Sequence, residues 1–463
     1  MTAAKRPTVR LADWKARLIT KMTKDGPVVK PIAANAITIL NFEPAWQGII
    51  AYDEFAETIV TRAKPPWREH DAEPDCKPGD WTDEDTIRLQ AWIADKYGAD
   101  LGAEACLSAA KVVARRHKFH PVREWLTSLK WDGKKRLPTW LTDVMGCADT
   151  EYTRAVGQSW AVSAVARIFS PGCKVDTVLV LEGRPGIFKS SVLRALAGDE
   201  WFLEMSVADI SNKDAMQVLR RKWVVEFPEV DGYSKQDQSH LKSYLSRQVD
   251  TYRASYGKGT KDYPRQIAAT ATTNKSEYLA DETGGTGRRM WPVKCTAGDV
   301  AMARQLREQF WAEAVVRYQC KEAWHLTDPA LVDAERAEQD ARFRQHPWEE
   351  TIASWLARPS DVGGSRASRG VTTTDVMGSC LGIDTARRNQ AEAIVVGSIL
   401  RRLGWSPGNP ESRDGARVRV YRPELGAGTN GHTLVPIAGP MPSQLEFSEP
   451  GEDSFPPAEY QAE

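Results

Sequence analysis

At 463 residues the chain is long enough for about two to four domains with buried cores, which excludes a small disulfide-stapled module. Its 41% hydrophobic and 27% charged residues, with a mean hydropathy of -0.47, exclude wholesale disorder and a membrane protein. Lysine and arginine together number 62, as do aspartate and glutamate, so the net charge of zero makes no case for a polyanion partner; only the sorting of charge along the chain can.

No apolar run approaches the roughly 20 residues that span a bilayer, and the polar, basic amino end lacks the apolar stretch and cleavage site of a secretory signal. The expectation is a cytoplasmic protein with no membrane partner. The 7 cysteines, Cys76, Cys106, Cys147, Cys173, Cys295, Cys320 and Cys380, are scattered without a Cys-x-x-Cys pair. Reduced structural thiols are expected rather than zinc ligands or disulfides.

Along the chain, Ile87, Leu89, Trp92, Ile93 and Tyr97 fall at helical spacing within 82–107, with Thr82 and Asp83 placed to cap the start. A second helix is predicted over 103–117. A basic stretch follows, with Lys111, Arg115, Arg116, Lys118, Arg123, Lys130, Lys134, Lys135 and Arg136 interleaved with Phe119, Trp125 and Trp131. It suits either a nucleic-acid surface or a solvated helix face. These elements predict a mainly helical N-terminal domain over 1–148.

A helix over 149–169 leads to an apolar run at 177–181 of the kind that makes a buried parallel strand. Further apolar or β-branched runs at 223–227, 266–273 and 290–293 predict an α/β domain over 149–328. A helical linker is predicted over 329–371. Residues 372–424 read as helix, helix and hairpin, the hairpin signalled by Asp414 and Gly415 before alternating residues. That order suits a winged-helix-like domain whose Arg387, Arg388, Arg401, Arg402, Arg417 and Arg419 would meet phosphates; a domain used only for packing or protein contacts is the alternative. The remaining 425–463 is rich in glycine, proline and acids, and is predicted to be a disordered acidic tail.

Directly after the 177–181 run stand Gly183, Gly186, Phe188, Lys189, Ser190 and Ser191, and then a helix ended by Gly198. Strand, glycine loop, Lys-Ser and helix is the context of a P-loop, so these six residues form the expected nucleotide-binding set. Loop N–H groups and the helix N-terminus would hold phosphates, Lys189 would neutralise the β and γ oxygens, and the Ser190 hydroxyl would ligate magnesium. Phe188 stands where glycine is usual. Only glycine reaches positive φ without cost, so Phe188 is expected to constrain the loop while its N–H stays available.

The strand at 223–227 ends in acids. Glu226 is expected on the metal side and Glu229 as the base that polarises water, with the reverse assignment open. Asn274 closes the small-residue strand 269–274 and could orient water. Arg288 and Arg289, after Gly284, Gly285 and Gly287, could serve a neighbouring subunit's nucleotide as a finger, or form structural salt bridges.

With these elements in order, the chain resembles the virulence-associated protein E family, phage and mobile-element ATPases similar to superfamily 3 helicases. The resemblance covers about residues 40–330. It rests on 41–67, on His120 to Leu126 with Trp131, Asp132 and Gly133, on 171–176, on the glycine loop and on 223–229. Asp250 to Arg253 with Tyr256 and Gly257, 271–274 and 287–292 complete it. It implies a multidomain α/β chain with a P-loop NTPase core of AAA+ or superfamily 3 type. It also implies ATP and Mg2+ as cofactors, nucleotide contact by Gly186, Lys189 and Ser190, an acidic motif at Glu226 and Glu229, a sensor at Asn274 and a finger at Arg288 or Arg289.

Helicases of that superfamily form rings of six whose pore loops grip one DNA strand. Here 250–265 carries Arg253, Tyr256, Lys258, Lys261 and Arg265 around Gly257 and Gly259, cations and aromatics suited to phosphates and bases. The expected function is therefore an ATP-dependent, ring-forming DNA helicase or translocase. Its expected partners are single-stranded DNA in the pore, duplex through the C-terminal domain, copies of itself in a hexamer, and a separate primase. The rivals are an oligomeric DNA-binding switch without unwinding and a non-hydrolysing DNA-binding scaffold.

Overall fold

Five β-branched and apolar runs form a single parallel sheet: β1 (Val178–Glu182), β2 (Phe202–Glu204), β3 (Val224–Phe227), β4 (Ala268–Thr273) and β5 (Met290–Lys294). Their order across the sheet is 5-1-4-3-2, and every neighbouring pair is parallel. All residues of β1, β3 and β4 are buried, as continuous apolar strands covered on both faces must be. The computed structural model describes residues 11–69, 79–211, 218–252, 259–279, 289–343, 346–358, 366–413 and 416–423. The tail expected over 425–463 lies outside them.

Side chains alternate along each strand and so feed two cores. Leu179 and Leu181 of β1 join Trp140, Trp160, Trp223, Trp291 and Trp311 on one face, with helices α1 (Glu151–Phe169), α2 (Lys189–Ala197) and, further along the chain, α4 (Val300–Gln319). Val178 and Val180 join Val225, Phe227, Leu241 and Tyr244 on the other, under α3 (Lys235–Ser246). Three of these indole N–H groups find backbone acceptors inside: Trp160 donates to Ala269 O at 3.2 Å, Trp223 to Ala164 O at 2.9 Å and Trp311 to Leu196 O at 2.8 Å. Thr150, Ser234 and Asp299 cap α1, α3 and α4.

The chain divides into two compact units, Met1–Gln345 and His346–Glu463. The first unit includes the N-terminal region, where helices predominate but short strands that the sequence did not declare are added. Helices Ala33–Phe42, Asp83–Tyr97 and Ala103–Ala114 accompany a four-stranded sheet ordered Gly79–Asp80, Thr58–Thr61, Ile50–Asp53 and Lys118–Phe119. A hairpin, Thr20–Thr23 with Gly26–Val29, precedes them. Strands this short carry no period long enough to stand out from helix.

The expected linker over 329–371 is divided as well. Helix α5 (Pro329–Asp340) belongs to the first unit: Trp291 Nε1 donates to Glu335 at 3.1 Å and Gln339 donates to Met290 O at 2.9 Å. Helix Glu349–Ala357 instead sends Ile352 into the second unit's core with Val376, Val396, Ile399, Trp405 and Tyr421. The rest of that unit is the turn of Thr373–Asp375 running into a π-helix at Val376–Cys380, then α6 (Gln390–Arg402), and an antiparallel hairpin of Trp405–Arg413 and Ala416–Pro423. Asn389 caps α6, accepting from the Glu392 N–H at 2.9 Å, which fixes the start of the helix at Gln390. No helix among the described residues is long and apolar enough to cross a membrane.

Candidate nucleotide site

Because the sheet is all parallel, the carboxyl ends of its strands share one edge, where α/β sheets bind ligands. Three of those ends carry the site. After β1 the chain turns through 183–188 into α2. Gly183 has a φ of +154°, and a Cβ there would meet the Cys295 carbonyl and Ile187 at 2.6 Å, so only glycine fits. Phe188 immediately precedes α2 with φ +62° and ψ 28°, left-handed backbone that is costly for an aromatic residue, and its ring is 61% exposed. No side chain caps the first N–H groups of α2, which leaves them to an external acceptor.

Lys189 is buried. Its Nζ donates to Gly183 O at 2.7 Å, Arg184 O at 3.1 Å and Asn274 Oδ1 at 3.1 Å, so the ammonium is folded back into the loop. Burial lowers its pKa. Ser190 Oγ donates to Glu226 Oε1 at 2.7 Å, and Thr272 Oγ1 donates to the same oxygen at 2.6 Å. Glu226 is fully buried and its Oε2 has no partner. Burial raises its pKa, against the two hydroxyl bonds that lower it. An orphaned carboxylate oxygen beside a serine hydroxyl is an all-oxygen donor set that suits a hard cation such as Mg2+, which needs few protein ligands when phosphates supply the rest.

Asn274 follows β4 directly, which is what brings its amide oxygen to Lys189. Glu229 lies beyond β3, exposed and on left-handed backbone at φ +51°. Between them stands Asp231, which accepts from Thr273 Oγ1 at 2.9 Å and faces Lys275 at 3.6 Å. Desolvation pushes its pKa up, but the Thr273 hydroxyl and the Asn274 amide outweigh it and leave the pKa lowered. Ser191 continues the first turn of α2, and Gly186 sits at the loop's crest with φ +81°.

Residues 126–343 match the virulence-associated protein E-like domain family. The chain carries a virulence-associated protein E-like domain. The match takes in the whole parallel sheet, the glycine loop and α5. Among solved structures, the apo NrS-1 C-terminal region (305-718) is 10% identical, with 81% of this chain and 96% of that one covered and a TM-score of 0.46. An A-form apo structure of the same region has the same identity and coverage and a TM-score of 0.41. No curated protein matches the chain.

Other expected residues of the virulence-associated protein E-like domain are placed differently. Arg289 stands just before β5 and pairs with Asp176, before β1, at 3.3 Å. That is the opposite edge of the sheet from the loop, about 15 Å away along β1. Arg289 is 9% exposed, so it is a buried salt-bridging arginine and no member of its own chain's nucleotide site. Arg288 lies outside the described residues, as do Arg253, Tyr256 and Lys258.

The expected DNA loop is a hairpin of Val249–Tyr252 and Lys261–Pro264. Lys261 is exposed and pairs with Glu57. Arg265 is a correction: it is 4% exposed, locked to Asp250 by two bonds of 2.7 Å and laid over the Tyr244 ring at 3.9 Å, so it braces the hairpin's base instead of offering a charge to DNA. The upstream basic stretch is mostly at the surface, with Lys111, Arg115, Arg116, Lys118, Lys130, Lys134 and Lys135 exposed, and part of it is paired. Arg136 pairs with Asp132 at 2.7 Å, Lys118 with Glu54 at 3.6 Å, and Trp125 packs on Trp201 with centroids 5.2 Å apart. In the second unit Arg387, Arg417 and Arg419 are exposed, while Arg388 donates to Ile383 O at 2.9 Å.

Thr272, Asp231 and Glu182 escaped the sequence reading. Glu182 ends β1, buried, and accepts from Tyr278 Oη at 2.9 Å and from Arg342 at 2.7 and 2.9 Å, tying the segments after β4 and α5 to the strand that launches the loop. Its only sequence signal is an acid closing an apolar run immediately before Gly183.

Proposed function

We propose that the chain is an ATP- and Mg2+-dependent P-loop ATPase of AAA+ or superfamily 3 helicase type, working as a ring-forming DNA helicase or translocase in phage or mobile-element replication. One observation carries the reading: Ser190 Oγ lies 2.7 Å from the buried Glu226 Oε1, beside a loop that already holds the Lys189 ammonium. A lysine, a hydroxyl and a buried carboxylate converging at the start of a helix is what phosphoryl chemistry needs, since catalysis there is mostly positioning and charge neutralisation.

In this reading the α2 N-terminus and loop N–H groups bind phosphates, and Lys189 leaves the loop carbonyls for the β and γ oxygens. Ser190 and Glu226 hold Mg2+, which when bound draws charge from those oxygens. Glu229, the exposed acid, positions water, and Asn274 holds Lys189 until phosphate replaces it. A hexameric ring, single-stranded DNA gripped by the hairpin at 249–264, duplex bound by a winged-helix-like second unit, and a separate primase complete the proposal. The exposed Arg417 and Arg419 support the duplex contact.

A nucleotide switch that binds DNA without unwinding is the second reading, favoured by the strained backbone at Phe188. ATP hydrolysis by the full chain, with and without single-stranded DNA and beside Lys189→Ala, separates them. The expected outcome is DNA-stimulated turnover that drops about 100-fold or more in the variant. ATP binding without turnover selects the switch, and full turnover by Lys189→Ala refutes the site.

A further inference from the structure

We propose that the groove beside the glycine loop is a nucleoside pocket and that Phe188 is its stacking wall, holding the amino-bearing base of the nucleotide whose phosphates the loop binds. This rests on the nucleotide reading above and adds to it the part of the ligand that reading leaves unassigned.

Phe188 is the starting point. An aromatic ring that is 61% exposed, on backbone at φ +62°, combines strain with lost burial. The unliganded fold obtains nothing visible from it. The ring borders a groove of about 590 Å³ whose other walls include Asp143, Val144, Gly146, Gly298 and Asp299. That volume is in the range of small-molecule sites.

The groove is fixed to the loop. Thr296 and Asp299 donate their N–H groups to Met145 O at 3.1 Å and Val144 O at 2.9 Å, and Thr296 Oγ1 donates to Gly146 O at 2.8 Å. Gly298 presses against the loop itself, where a Cβ would collide with the Ile187 carbonyl. The segment after β5, the turn after helix Trp140–Met145 and the loop therefore form one preformed surface, and a molecule anchored on the loop by its phosphates extends onto it.

The rim selects which end of the nucleotide enters. Asp143 accepts from Thr139 Oγ1 at 2.7 Å through Oδ2, and Asp299 accepts from the Met302 N–H at 2.8 Å through Oδ1. Each keeps a second oxygen that can accept a hydrogen bond. Two carboxylates repel phosphate and accept from an exocyclic amino group, so the base lies in the groove and a base bearing such an amino group fits it best.

The test is calorimetric titration of the full chain with Mg2+ and either ATP or inorganic tripolyphosphate, using the natural sequence, Phe188→Gly, Phe188→Leu and Phe188→Tyr. Glycine relieves the backbone, so that variant keeps its loop. The expected result is ATP affinity about 10-fold weaker in Phe188→Gly and Phe188→Leu, restored in Phe188→Tyr, with tripolyphosphate affinity unchanged or tighter. If Phe188→Gly shifts both ligands equally, or tightens ATP, Phe188 is a strained loop residue and the pocket is refuted while phosphate binding stands. A natural chain that binds neither ligand overturns the nucleotide reading and the pocket with it.

Discussion

Burial at the end of β3 costs Glu226 its hydration, and only one of its two oxygens recovers hydrogen bonds, from Ser190 and Thr272. The folded chain therefore holds the Glu226 proton more tightly than the unfolded chain does, with a pKa raised above the ordinary 4.5. A raised acid pKa means that the folded state binds the extra proton, so stability falls as pH rises from about that ordinary value through the folded one. Glu226→Gln keeps an acceptor for both hydroxyls and removes the charge. Its melting temperature should exceed that of the natural chain at pH 8 and converge with it toward pH 5, while ATP turnover falls about 100-fold or more. Thermal melts across that range, paired with ATPase assays, check it; a variant that melts lower at pH 8 would contradict the assignment of Glu226 as a carboxylate kept against its own stability. Lys189, Ser190, Glu226 and Asn274 could be singled out from the sequence because each follows or ends a recognisable run. Thr272 could not, since it matters only through the register that sets β4 beside β3, with Thr270 opposite Glu226.

The hairpin at 249–264 shows what a sequence of charges conceals about an element. Sign and spacing were legible at Lys261 and Arg265; the partners were not. Arg265 meets Asp250 across the base of the hairpin, 15 positions away, and its guanidinium is sealed there against Tyr244. Lys261, four positions earlier, stays in solvent with Glu57. The two cations should respond differently to truncation. Arg265→Ala strands a half-buried Asp250 and uncovers Tyr244, and should cost about 3 kcal/mol in chemical denaturation. Lys261→Ala should stay within about 0.5 kcal/mol of the natural chain, as exposed pairs do. Equal stability in both variants would return Arg265 to the surface. The same limit hid the N-terminal sheet: Ile50–Asp53 and Thr58–Thr61 are 4 residues each, too brief for a period of two to declare itself. The parallel strands were legible because burial on both faces forces a continuous apolar run, and only their order across the sheet had to wait for the structure.

Over the whole molecule, 62 basic and 62 acidic residues cancel. Some of the cations are also spent internally, Arg265 on Asp250, Arg289 on Asp176, Arg342 on Glu182 and Arg402 on Glu349. A chain so balanced has little long-range field for DNA, so any affinity must come from a few exposed cations close to phosphate. Arg417 and Arg419 are such cations. They alternate with the inward Val418 and Val420 on the last strand of the second unit, and so point out from one face of the hairpin. Taking away one cation that neutralises a duplex phosphate lowers the dependence of log affinity on log salt by about 0.9. The double variant Arg417→Ala, Arg419→Ala should therefore bind duplex DNA more weakly, with a salt slope shallower by about 1.8, and hydrolyse ATP without DNA at the natural rate. Fluorescence anisotropy over a salt series measures the slope. An unchanged slope would assign the second unit to protein contacts, and the duplex would then have to be held by the first.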